Sequence, residues 1–183
     1  SEVERILKEA KRRLDEVVER LRKSAETLRR MLERVSRELK KSHDELDRVL
    51  RRVEDALRKR NLDEKSVRRI KKEIDEARKK SKKVLDEIEE RAERVKRESR
   101  EVLERIKKRI EDVIRRLAEI VREQRRDAEE LRKEVEDMVR DLERLVREHS
   151  DRVRKIVTDL DRLVKEHNEE VRKIVERLDE EVK

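Results

Sequence analysis

The chain has 183 residues, 59% of them charged, a formal net charge of +8, and no Gly, Pro, Cys or aromatic residue. At ordinary Gly and Pro frequencies a chain of this length lacks both with a chance of about 10⁻¹⁰, and disordered chains are enriched in these residues, so disorder does not explain the composition. Collagen-like and disulfide-rich classes and thiolate chemistry are excluded, no apolar run approaches the roughly 18 residues of a membrane span, and the charged, aliphatic N-terminus is not a secretory signal.

What remains is Leu, Val and Ile spaced among Glu, Lys and Arg, all but the β-branched residues being strong helix formers. Residues 2–60 form the first predicted helix. There LRKSAETLRRMLERVSRE (21–38) aligns column by column with LKKSHDELDRVLRRVEDA (39–56), and the aliphatic positions span about 140° of arc. A turn is predicted at Arg60–Ser66. Asn61 is expected to end the helix in the left-handed conformation and Asp63 to cap the next one, with Glu64 in its first turn. The aliphatic stripe also misses two beats here, at Arg60 and Glu64.

The second helix is predicted over 63–122, with one apolar column through Val67, Leu85, Leu103 and Val121 and another through Ile70, Ile88 and Ile106. A second turn is placed at Glu123–Asp127, where Gln124 interrupts a column and Asp127 with Glu130 reads as a capping-box-like start. Without it the second helix would run ~120 residues and ~180 Å, half of it unpaired. The third helix, 127–183, carries RLVREHSDRVRKIVTDLDRLVKEHNEEVRKIV (144–175), a phrase repeated at 18 residues with His149 and His167 interrupting the stripe. Eighteen residues are five helical turns. A seven-residue repeat imposes a left-handed supercoil and an eleven-residue repeat a right-handed one; this repeat imposes neither, so the helices are expected to run straight.

If the turns centre near 62 and 124, facing residues total about 124 between the first two helices and about 248 between the last two. The polar residues in the apolar columns obey both rules. Ser42, His43, Ser81 and His167 fall in one layer, and Ser24, Ser99 and His149 in another ~27 Å away. The expected fold is therefore all-α, an up-down-up antiparallel three-helix bundle forming one domain over 1–183, ~90 Å long. In such layers each imidazole would face Ser hydroxyls able to donate or accept. The layers cost stability relative to Leu and would fix register, because sliding by one repeat would strand the polar groups.

With its exact-length repeat, all-aliphatic core, Glu/Lys/Arg surface and inserted Ser, His and Asn, the whole chain resembles the family of de novo designed helical bundles built on ideal parametric backbones with buried hydrogen-bond layers. Blocks such as SKKVLDEIEERAERVKRESREVLERI carry the likeness. Its turns depart from the family, which usually places Gly or Pro there. The resemblance implies a soluble, recombinantly made scaffold with no natural activity.

The sites that suggest chemistry have simpler readings. His43 and His167 could approach one another, but zinc takes three or four ligands, there is no Cys, and the Glu-x-x-His spacing of di-metal bundles is absent. A Ser and a His in one layer resemble a nucleophile and base, yet no Gly-built turn exposes the Ser and no oxyanion hole is evident. No enzyme activity, metal or other cofactor is expected. Charge is uneven, at +6 for 1–62, +6 for 63–122 and −5 for 127–183, a pattern that biases helix pairing. The basic run Arg78–Lys83 around Ser81 reads as a solvated face. Without aromatics to stack on bases, no specific nucleic-acid partner is expected; no membrane partner is expected and none is required. The alternative is a pH-responsive or self-assembling component, a homo-oligomer with one continuous helix over 63–183.

Overall fold

A computed structural model describes residues 1–123 and 127–182 of the chain. It contains three long helices, α1 (Glu2–Lys59), α2 (Glu64–Arg122) and α3 (Ala128–Val182), and no strand among the described residues. The fold is an all-α three-helix bundle. Packing divides it into two compact units, the first formed by Ser1–Arg29 with Val95–Ile156 and the second by Arg30–Arg94 with Val157–Lys183. Each helix contributes one segment to each unit.

The helix ends follow from local chemistry. At the start of α1 the Ser1 hydroxyl accepts the Glu4 amide at 3.3 Å, and Glu2 and Glu4 place negative charge where the helix dipole is positive. Asp63 accepts the Val67 amide at 3.1 Å through its carbonyl, so it occupies the cap position of α2. Asp127 caps α3 twice, with its carboxylate accepting the Glu129 amide at 3.3 Å and its carbonyl accepting the Leu131 amide at 3.1 Å.

The left-handed cap expected at Asn61 does not form, since no described residue outside glycine has a positive φ. Instead the Arg60 amide continues the helical ladder onto the Ala56 carbonyl at 3.0 Å, and Leu62 packs against the core of the second unit. The partly buried Leu62 thus packs at the turn where a reversed residue was anticipated. The continuous helix over 63–183 is also absent. α2 ends at Arg122 and α3 begins at Ala128, and in the first unit the two pack side by side. Gln124, expected inside this turn, lies outside the described residues.

In the first unit Leu14 and Val17 of α1 meet Ile106, Ile110 and Val113 of α2 and Leu142 and Val146 of α3. Ala10, Ile120, Leu131, Val135 and Val139 form a second cluster there. In the second unit Leu46, Leu50, Val53 and Leu57 pack with Ile70 and Ile74 and with Val171 and Leu178. These groupings require α2 to run antiparallel to its neighbours. Ion pairs across the α2–α3 seam give the register directly. Arg109–Asp141, Arg116–Glu134 at 2.6 Å and Arg152–Glu98 at 3.0 Å in the first unit, and Lys80–Glu170 at 3.9 Å in the second, all join residues whose numbers total 250. That lies within two residues of the expected 248.

One column position departs from expectation. Val121 is 61% exposed, and Ile114 and Val18, also in the first unit, are 53% and 38% exposed. Val121 is the penultimate residue of α2, and its neighbour Ile120 lies in the cluster that Val3, Ile6 and Leu7 border at the start of α1. A helix that has only begun gives the rim of the stripe little cover.

Core position and rim position should therefore respond differently to truncation. Leu50→Ala, at a fully buried site, is expected to lower unfolding free energy by about 2–5 kcal/mol through lost transfer energy and a cavity. Val121→Ala should change it by less than about 0.5 kcal/mol. Urea denaturation followed by circular dichroism measures both.

Candidate functional site

The polar residues that interrupt the apolar columns are the candidate site, and they fall into two groups, one within each unit. In the second unit Ser81 of α2 and His167 of α3 are 4% and 3% exposed, and Ser42 of α1 is also buried. His43 on α1 is only half-buried, although its Nδ1 is fully covered. It sits one position further round α1 than Ser42, at the rim of the stripe, so its ring reaches inward from the edge. The His43 and His167 rings lie near enough to influence one another electrostatically. Beside this layer, Ser42, Leu46 and Val49 of α1 and Asn168, Val171 and Val175 of α3 line an open groove.

In the first unit Ser24 and His149 are buried, while Ser99 is half-buried. His149 borders a groove on the α2–α3 seam with Val102, Ile106, Arg109, Leu145 and Arg152. The expectation of full burial therefore needs correcting for His43 and Ser99, both of which occupy rim positions.

The expected hydrogen bonds between Ser and His are not formed by the atoms best placed to make them. Ser24 Oγ, His43 Nδ1, Ser81 Oγ, His149 Nε2 and His167 Nε2 are all buried and have no hydrogen-bond partner in the protein. A buried polar atom without a partner costs about 1–3 kcal/mol in lost solvation. The same environment acts on the imidazoles. Burial pushes the His149 pKa down, and Arg152 adds to the effect. Burial also pushes His167 down; Glu170 opposes that shift and His43 reinforces it. Both rings are thus favoured in the neutral form.

Two features of the interhelix seams escape a reading based on apolar columns. On the α1–α3 seam of the first unit, the Arg13 guanidinium forks onto Glu136 and Glu143 while only 21% exposed. In the second unit the carboxyls of Glu73 (α2) and Glu181 (α3) adjoin, each with a buried Oε2 lacking a donor. Burial, and then the neighbouring Glu181 carboxyl, raise the Glu73 pKa from its ordinary value, against Arg177 and Arg69. The α2–α3 register contains a signal for this site, because it sets Glu73 level with Arg177 and Arg69 level with Glu181. Among the described residues no group of three or more His, Asp or Glu side chains is arranged to hold a metal ion, and no helix is long and apolar enough to cross a membrane.

The pH dependence of stability follows from these directions. His149 and His167 have folded pKa values below the unfolded value near 6.5, so their contribution is complete above about pH 6.5 and is lost as pH falls below it. Glu73, raised from 4.5, acts oppositely: its contribution is present at low pH and is lost as pH rises through its folded pKa. A lower urea midpoint at about pH 5 than at about pH 7.5, with the difference reduced in the His149→Leu/His167→Leu double variant, is the expected result. Compared with known proteins, the chain matches no family model, no curated protein and no solved structure.

Proposed function

We propose that the chain is a designed structural scaffold without catalytic activity, in which the Ser and His layers specify the register of otherwise interchangeable 18-residue helical blocks. The observation that carries this reading is the placement of Ser24, Ser42, Ser81, His149 and His167 as the buried polar residues of an otherwise aliphatic core. Ser24 and Ser42 are one repeat apart, as are His149 and His167. An aliphatic core repeating at five turns has near-equivalent packings one repeat apart. Polar groups in that core distinguish them, because each packing strands a different set. The exact-length repeat and the absence of Gly, Pro and aromatic residues support a designed origin.

A second reading, in which protonation of the layers switches the fold or its assembly, is favoured by the depressed pKa values of His149 and His167. The two readings share the same side chains and differ in whether the response to acid is used.

Register is testable by cross-linking, since the chain has no native Cys. A short bismaleimide should join Arg109→Cys to Asp141→Cys, which face one another, and should not join Arg109→Cys to Asp159→Cys, one repeat out of register. Replacing the layers (Ser24, Ser42, Ser81 and Ser99→Ala; His43, His149 and His167→Leu) should raise the urea midpoint. It should also raise the out-of-register yield about tenfold or more, the factor expected when an energy gap of at least 1.4 kcal/mol is removed. An out-of-register yield that stays at background in the apolar variant would show that the layers do not set register.

A further inference from the structure

The face of α2 turned away from the core in the second unit carries an excess of basic side chains. Between Lys65 and Lys83 the sequence carries ten basic and three acidic residues. Lys65, Arg68, Lys72, Lys79 and Lys83 recur at intervals of three, four and seven residues, so they share one side of the helix. All five are exposed. Arg68 touches only the exposed Glu64, at 3.9 Å, a pair worth little in water. Among the described residues the four lysines have no ion-pair partner. By contrast Arg78 is held by Glu54 and Lys80 by Glu170. Of the acidic residues in the stretch, Glu73 is turned toward α3 and only Asp75 and Glu76 are exposed.

We propose that this face binds the phosphodiester backbone of a nucleic-acid duplex, irrespective of sequence. The 18 residues from Lys65 to Lys83 rise ~27 Å, while a B-form duplex presents one negative charge per ~1.7 Å of axis. A helical row of five cations of that length, four of them without an ion-pair partner, therefore meets more phosphates than it has charges, and each cation that docks releases a condensed counterion. Lysine suits this task because its charge is compact and its stem flexible, so contacts do not depend on a fixed phosphate geometry. The face bears no apolar side chain at these positions, so it has nothing to insert into a bilayer. The chain has no aromatic residue on which an unpaired base could stack, so a duplex is favoured over a single strand. Because phosphate contacts carry no sequence information, the binding does not discriminate between duplexes.

Fluorescence anisotropy with two unrelated 20-base-pair DNA duplexes, in salt from about 50 to 200 mM, tests this. Both duplexes should bind alike, with a Kd of about 10⁻⁴–10⁻⁶ M and a slope of log K against log salt of about −4 to −5. In the Lys65, Lys72, Lys79 and Lys83→Gln variant the magnitude of that slope should fall by about 3.6, and low-salt affinity by about tenfold or more. Gln and Lys have nearly equal helix propensity, so an unchanged circular dichroism spectrum is expected to accompany the loss. A control in which Lys8, Lys11, Lys23 and Lys108 become Gln removes the same charge elsewhere and should leave the slope unchanged. The proposal is overturned if the control loses as much affinity as the test variant, or if one duplex binds more than about tenfold tighter than the other. It is also overturned if phosphatidylserine vesicles bind the chain while both duplexes do not.

Discussion

The constraint from which the rest of the molecule follows is the width of its aliphatic stripe. Each helix offers apolar side chains over about a third of its circumference, and none of them is aromatic. A stripe of that width is covered by two neighbours and by no fewer, which accounts for three helices meeting in each unit. It also means that the edges of the stripe are the seams of the bundle, so side chains just outside it are pressed together in partial shelter from water. Arg13 gains two carboxylates in this way, whereas Val18, Ile114 and Val121 gain too little cover.

Within that arrangement the buried Ser and His residues are a cost. Ser24, Ser81, His149 and His167 each hold a desolvated atom without a partner in the protein, and an aliphatic side chain at any of these four positions would be the more stabilising choice. The proposed register role and the depressed pKa values of His149 and His167 would share one physical origin, the scarcity of water around an uncharged polar ring.

Charge organises the seams along the same lines. Cations of α1 and α2 settle on carboxylates of the acidic third helix, as Arg13 does on Glu136 and Glu143, Arg34 on Asp161 and Arg116 on Glu134. Arg152 with Glu98 and Arg132 with Glu2 run the other way. Most such pairs are exposed and individually contribute about 0–1 kcal/mol, so their effect is to favour one pairing of helices over another more than to hold the pairing together. Glu73 and Glu181 break the pattern. Each is level with an arginine in the register, yet their carboxyls adjoin, and burial together with Glu181 raises the Glu73 pKa against the pull of Arg177 and Arg69.

The number of helices, their direction and the α2–α3 register within two residues were legible from the amino-acid order, because a period of 18 residues and two interruptions of an aliphatic stripe are properties of a helix before it meets any partner. The polar residues of the core columns were legible for the same reason. Tertiary packing decided what depends on neighbours. It left His43 and Ser99 partly exposed at the rim, and it exposed Val121 where α1 has only begun. It packed the partly buried Leu62 against the core after α1, with no reversal at Asn61, and it brought Glu73 against Glu181. Periodicity specifies direction around one helix axis; exposure and the meeting of two carboxyls depend on how far a second and third helix extend past each position, and no single helix encodes that.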